Sequence, residues 1–235
     1  MSQRILIFFM GAVGLVGGPS AAGQAQKDSA TYTEMAVVEQ YLMDRSAEIA
    51  LAQSAAPAAI SRDADVWVLG RKGYERAVQG KNGFACIVQR SWAMVFEDPE
   101  FWNPKIRGAM CFNKAAAQAV MPPYLARTKM VMAGESKAQM MVEMKAGFKK
   151  KEFTSPGPGS MCYMMSSHSF LGDGNGNWHS HLMFLLPTTE ATAWGAGLRG
   201  SPILVAQDPW NRMTIFLVPV GEWSDGSASP PYRGE

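Results

Sequence analysis

Hydrophobic residues in the first third of the chain recur with a helical period and then change to the pattern of strands. Between Thr33 and Gln53 apolar residues return every three or four positions, which is typical of an amphipathic helix. Short apolar runs typical of strands follow at 65–69, 74–79 and 84–90. Asn82-Gly83 supplies the positive φ angles of a tight turn, so we predict a hairpin there and a three-stranded meander overall.

The capping residues of two further helices stand out in the middle of the chain. Asn113 can cap a helix that ends at Met121, before two prolines. Ser136 and Gln139 form a capping box for a second helix that runs to Lys151. Strand patterns then return at 161–167, 178–186, 202–206 and 213–218. Together these elements predict an α+β fold, in which several helices pack on an antiparallel sheet made of the N-terminal meander and C-terminal hairpins.

The first 25 residues have the pattern of a secretory signal peptide. Arg4 precedes an apolar run of about a dozen residues, which is shorter than the ~20 residues needed to span a bilayer. Small residues up to Ala25 suit a cleavage site. We therefore expect a periplasmic or secreted protein without a stable membrane span in the mature chain. It would consist of one domain at 26–220 and a flexible tail at 221–235, rich in Gly, Ser and Pro.

Charge and cysteine content narrow the functional classes. The formal net charge is +2 at pH 7, which argues against a nucleic-acid groove, because such a groove needs many phosphate-neutralising cations. Three cysteines are an odd number for an exported protein. Cys86 and Cys111 lie in apolar stretches and can form a disulfide, which would leave Cys162 free. The alternative is three buried thiols that behave as small hydrophobic residues.

All three histidines fall on one predicted hairpin. With a turn at 172–175, His168 would lie opposite His179, and His181 would share their face. Three imidazole nitrogens with an open fourth position resemble a catalytic zinc site, whereas added Met or Cys sulfur would favour copper. A register shifted by one residue would move His168 to the other face, and histidines on strands are also commonly structural. Candidate ligand-binding residues around this group are Trp178, Asp173 and Cys162.

These features lead to one main functional hypothesis and two alternatives. The main hypothesis is an exported protein that binds a ligand, most simply a transition metal such as zinc or copper, at the histidine hairpin. An enzyme would use the same histidines for metal-dependent or imidazole-based hydrolysis. A non-catalytic interaction domain of the cell envelope is the third interpretation.

Several motifs spread along the chain also resemble those of a known group of proteins. They are Gly83-Phe-Ala-Cys-Ile-Val88, Glu100-Phe-Trp-Asn-Pro-Lys105, Ser136-Lys-Ala-Gln-Met140, Tyr163-Met-Met-Ser166, Trp178-His-Ser-His-Leu-Met-Phe184 and Phe216-Leu-Val-Pro-Val-Gly221. With these motifs the chain resembles a family of exported bacterial proteins for which no activity is established. The resemblance implies an exported, soluble domain and supplies no ligand or catalytic residue.

Overall fold

A computed structural model describes residues 32–174, 176 and 178–232 of the chain. The predicted signal peptide at 1–25 lies outside the described residues. The strands are β1 Asp65–Gly70, β2 Gly73–Val78, β3 Ala85–Gln89, β4 Gly108–Phe112, β5 Met161–Met164, β6 His181–Pro187, β7 Leu204–Asp208 and β8 Met213–Pro219. The helices are α1 Arg45–Gln53, α2 Ala58–Ser61, α3 Lys114–Ala119, α4 Met121–Met132 and α5 Lys137–Lys149, with short 3-10 turns at Val38–Gln40, Ser91–Ala93 and Ala191–Trp194.

The eight strands form one sheet in the order β2-β1-β3-β4-β5-β6-β8-β7. Every neighbouring pair is antiparallel except β1 and β3, which run parallel. The predicted α+β fold is therefore confirmed. Among the described helices, none is long and apolar enough to cross a bilayer.

The N-terminal strands do not form the predicted meander. β2 lies at the edge of the sheet, and the chain crosses from β2 to the far side of β1, where β3 pairs in parallel. Strand burial explains this order, because β3 is buried on both faces whereas β2 exposes Glu75 and Arg76, which suit an edge. The crossover passes so close that a Cβ atom at Gly80 would lie 2.3 Å from backbone atoms of Ala64 and Asp65. Asn82-Gly83 therefore belongs to a crossover and not to a hairpin turn.

The capping residues predicted the starts of α3 and α5 correctly. The side chain of Asn113 accepts a hydrogen bond from the Ala116 amide at 3.0 Å, and the capping box at the start of α5 is complete. The first helix is shorter than expected, since it begins only at Arg45, where Asp44 caps it. The two prolines after Met121 begin α4 instead of ending α3, because proline is tolerated in the first turn, where its missing N–H has no partner to lose.

The two faces of the sheet carry separate apolar clusters. On one face α1 and α2 cover a small cluster that includes Val88, Ala109 and the disulfide between Cys86 and Cys111. The predicted disulfide is thus confirmed, and it joins residues that oppose each other on β3 and β4. The larger cluster lies on the other face beneath α4 and α5, and it contains Cys162, which is free and buried.

The C-terminal segment packs against the domain, although it was expected to be a flexible tail. The amide of Ser224 donates to the carbonyl of Met165 at 2.9 Å. The hydroxyl of Ser229 accepts from the Ser180 amide at 3.2 Å. These contacts hold the segment against the residues that follow β5 and the residues that precede β6.

Candidate functional site

A cavity of about 240 Å³ lies between the larger-cluster face of the sheet and the elements that cover it. Alternate residues of a strand share a face, so one set of side chains from β3 to β8 forms its floor. The floor is apolar and rich in methionine, and it includes Ile87, Met110, Met164, Met183, Leu185 and Leu217. The cover comes from Met94 after β3, from α4, and from Leu171 and Trp178 in the loop before β6.

The register of β5 and β6 differs from the predicted one by two residues. Met164 lies opposite His181, and Cys162 lies opposite Met183. The reason is that β5 ends at Met164, after which Phe170 exchanges backbone hydrogen bonds with Arg107. The Leu171 amide donates to the Gly176 carbonyl at 2.9 Å, which is the contact that the predicted turn at 172–175 requires, but this register does not continue into β5 and β6. A shift of two residues keeps every side chain on its face, which places Met164, His181 and Met183 together.

The three histidines do not form the predicted cluster. His168 is exposed in the turn after β5. His179 precedes β6, where its Nδ1 donates to the carbonyl of Pro230 at 3.1 Å and its ring meets Tyr232 edge-on. Only His181 belongs to the strand and lines the cavity. Within the described residues, no group of three or more His, Cys, Asp or Glu side chains is arranged to hold a metal ion.

His181 presents one free ring nitrogen in the cavity wall. Its Nδ1 donates to the carbonyl of His179 at 2.7 Å, so in the neutral ring Nε2 carries the lone pair. Nε2 is buried and has no hydrogen-bond partner among the residues that the structure describes. Burial lowers the pKa of His181, which favours this neutral form. The Trp178 ring packs against the imidazole with 4.9 Å between ring centroids, which fixes its orientation.

A buried arginine on α4 also lines the cavity. Val120, Tyr124 and Arg127 are spaced four and three residues apart, so α4 presents all three on one side. Arg127 is 1% exposed, and its Nη1 donates to the carbonyls of Trp92 at 3.1 Å and Met94 at 2.9 Å. Its Nε and Nη2 are buried without a hydrogen-bond partner in the described part of the chain.

Polar groups of the turn between β7 and β8 lie near this arginine. Asp208 accepts from the backbone amide of Asn211 at 3.0 Å and from its side-chain amide at 2.6 Å. Both residues line the cavity. Asp208 pairs with Met213 at the start of β8, whereas His181 pairs with Pro219 at its end, a separation of ~20 Å at ~3.4 Å per residue. The cavity therefore has polar groups at two ends and an apolar middle.

The other candidate residues from the sequence have different surroundings. Trp178 lines the cavity, as described above. Asp173 lies outside it and accepts hydrogen bonds from the Tyr32 hydroxyl at 2.7 Å and from Lys105 Nζ at 3.2 Å, and these contacts lower the pKa of Asp173. Cys162 is completely buried in the larger cluster, and burial raises the pKa of its thiol. A thiol in such surroundings is inert as a nucleophile.

Sequence reasoning missed the polar groups at the Arg127 end. Arg127 was overlooked because two prolines were taken to end a helix, although proline near a helix start is common. Recognising α4 would have placed Tyr124 and Arg127 on one face. The absence of a partner for Arg127 depends on distant residues, and the local sequence carries no signal for it.

Comparisons of the chain with protein-family models, with curated proteins and with solved structures find no match. Three lining residues have buried polar atoms without a partner in the described chain, namely His181 at Nε2, Arg127 at Nε and Nη2, and Asn211 at Oδ1.

Proposed function

We propose that the protein is an exported binding protein whose ligand is a small, largely apolar molecule held in this cavity. The observation that carries the proposal is the buried, unpaired Nε2 of His181 in the cavity wall. Leaving a buried polar atom without a partner costs roughly 1–3 kcal/mol, and a ligand O–H or N–H group at Nε2 would remove that cost. The proposal thus keeps the histidine hairpin as the binding element but reduces the histidines to one.

The size and composition of the cavity support an organic ligand. Its volume of about 240 Å³ is several times the ~30 Å³ that one water occupies in the liquid. Methionines at Met110, Met164 and Met183 give the floor flexible and polarizable side chains, which adapt to ligands of irregular shape. Apolar walls with a few fixed polar groups are typical of small-molecule sites.

Two observations support export. The disulfide between Cys86 and Cys111 favours an oxidising compartment, where such bonds persist. The first 25 residues have the composition of a secretory signal.

A neutral fluorescent probe tests the proposal directly. N-phenyl-1-naphthylamine has an apolar body and one N–H donor, so it should bind the wild-type protein saturably with increased emission. Met183→Trp should fill the cavity and His181→Phe should remove the acceptor, so both variants should bind the probe more weakly. His168→Gln, in the exposed turn, is the matched control. Unchanged binding in both cavity variants, with their folding verified by circular dichroism, would refute the proposal.

Binding of a soft transition metal is a second candidate, favoured by the observed register. Met164 lies directly opposite His181 and Met183 lies two residues further along the same strand, so two thioethers and one imidazole share a face. Thioether and imidazole ligands favour Cu(I) over zinc. The Nδ1 hydrogen bond to a backbone carbonyl is the support that metal-bound histidines commonly have.

Titration with Cu(I) against a chromogenic chelator separates the two candidates. Met164→Leu keeps the side-chain volume but removes a sulfur, so it should weaken Cu(I) binding while leaving the naphthylamine probe bound. If Met164→Leu binds Cu(I) as tightly as the wild type, a metal site at this position is excluded.

A further inference from the structure

The free edge of Arg127 has the geometry of a carboxylate-binding group. Nη1 is used by the carbonyls of Trp92 and Met94, while Nε and Nη2 have no partner among the described residues. In a guanidinium group Nε and Nη2 lie on the same edge, where their N–H bonds point in parallel. This pair matches the two oxygens of a carboxylate, which it can bind in a bidentate manner.

Arg127 also forms no ion pair with the residues that the structure describes. Asp208 and Glu97 act on it electrostatically without forming an ion pair with it, and both carboxylate oxygens of Asp208 accept from Asn211. A buried charge is costly unless it is paired and hydrogen-bonded, so the surroundings of Arg127 are incomplete without a further acceptor.

The guanidinium is held in place before any ligand arrives. The two carbonyls fix Nη1, and the Phe96 ring lies 4.4 Å from the guanidinium carbon. A cation over an aromatic face is attracted by the ring electrons, which further restrains the group. Because little side-chain entropy remains to be lost, a preformed site of this kind binds with a smaller entropic cost.

We infer that the cavity recognises apolar molecules that carry a carboxylate, which pairs with Nε and Nη2 of Arg127 while the apolar body lies over the methionine floor toward His181. This inference rests on the proposed function and names its ligand class. The negative charge of nearby Asp208 favours a planar monoanion over a phosphate, which would bring more charge to the same end of the cavity.

Matched probes of equal chain length test the inference. Displacement of N-phenyl-1-naphthylamine is measured with octanoate and with octan-1-ol, which differ only in the terminal group. Wild-type protein should bind octanoate about 10- to 100-fold more tightly, because hydrogen bonds to charged groups are stronger than neutral ones. Arg127→Met should abolish this preference, and Arg127→Lys should retain part of it. Arg199→Met, at an exposed position, is the control.

The outcomes separate the inference from the proposed function. Equal binding of octanoate and octan-1-ol by the wild type would overturn the carboxylate assignment and leave the cavity proposal standing. Failure of the naphthylamine probe and of both octyl compounds to bind would overturn both. If Arg127→Met does not fold, methyl octanoate is used with the wild-type protein instead. Esterification removes the charge from the ligand, so the ester should bind more weakly than octanoate. An ester that binds as tightly as octanoate would contradict the inference.

Discussion

Two buried arginines of this protein differ in how their side chains are satisfied. Arg90 is 0% exposed, and each of its side-chain nitrogens has a partner. Nη2 donates to Glu48 at 2.9 Å, Nε donates to the carbonyl of Tyr41 at 2.8 Å, and Nη1 donates to the carbonyl of Val88. Arg127 is equally buried, but only its Nη1 has partners in the described chain.

The difference distinguishes the structural role of Arg90 from the binding role that we propose for Arg127. Glu48 belongs to α1 and also accepts from the amide of Leu69, so its bonds tie that helix to β1 and to the residue that follows β3. The bonds of Arg127 to Trp92 and Met94 use only Nη1, and Nε and Nη2 have no partner in the described chain. Burial alone therefore does not distinguish the two arginines, whereas their hydrogen-bond partners do.

The largest expected effect is the loss of stability when Arg90 is removed. Arg90→Met leaves the buried Glu48 carboxylate without its ion-pair partner, so we expect the free energy of unfolding to fall by about 3–5 kcal/mol. Urea denaturation measures this loss. Glu48→Gln added to Arg90→Met should recover part of it, because the stranded charge is then absent. A loss below about 1 kcal/mol would mean that the pair is not structural.

The disulfide lies on the face of the sheet opposite the cavity, so its removal tests whether the two faces are independent. The two cysteines are 25 residues apart, so Cys86→Ala with Cys111→Ala should lower the free energy of unfolding by about 3 kcal/mol. Affinity for the naphthylamine probe at low temperature should not change, because the bond lies on the face away from the cavity. A large loss of probe affinity in the folded variant would show that the two faces are coupled.

Replacement of Arg127 should cost less stability than replacement of Arg90. Arg127→Met removes the donor to the carbonyls of Trp92 and Met94, but it also removes a buried charge that forms no ion pair in the described chain. We expect these effects to offset one another, with a net loss below about 2 kcal/mol in the same urea experiment. Equal losses for Arg90→Met and Arg127→Met would remove the distinction between the two arginines.

The smallest expected effect is the pH dependence of stability that arises from His181. Burial lowers the pKa of His181 below its usual 6.5, so below about pH 6.5 the unfolded chain binds the proton before the folded one. The free energy of unfolding should therefore fall as pH decreases through this window. Wild-type protein and His181→Gln are compared by urea denaturation between pH 7.5 and 5. The variant should show a shallower slope, and a slope equal to that of the wild type would contradict the prediction.

Local signals predicted the local structure of this chain well. The caps at Asn113 and Ser136 are short-range hydrogen bonds, so α3 and α5 could be read from a few neighbouring residues. The strands of the β7–β8 hairpin follow from their apolar runs and the Asp208-Pro209 turn. The sequence left open whether Cys86 and Cys111 form a disulfide or remain buried thiols. In the structure the two residues oppose each other on β3 and β4 and are bonded.

Non-local pairing accounts for the errors. The position of β3 beside β1 depends on burial across the whole sheet, which the Asn82-Gly83 turn signal could not report. The register of β5 and β6 depends on the bridge between Phe170 and Arg107, residues 63 positions apart by their numbers. The observed pairing differs from the predicted one by two residues, so that Met164 and not Ser166 lies opposite His181.

The sequence by itself determined the α+β class and two capped helices, because these follow from periodicity and short-range hydrogen bonds. Only the tertiary structure decided which polar groups are left unpaired. His181 Nε2 and the free edge of Arg127 are defined by the partners that distant residues fail to supply. Whether a polar group has a partner depends on three-dimensional packing, so the cavity and its two polar ends could be identified only from the fold.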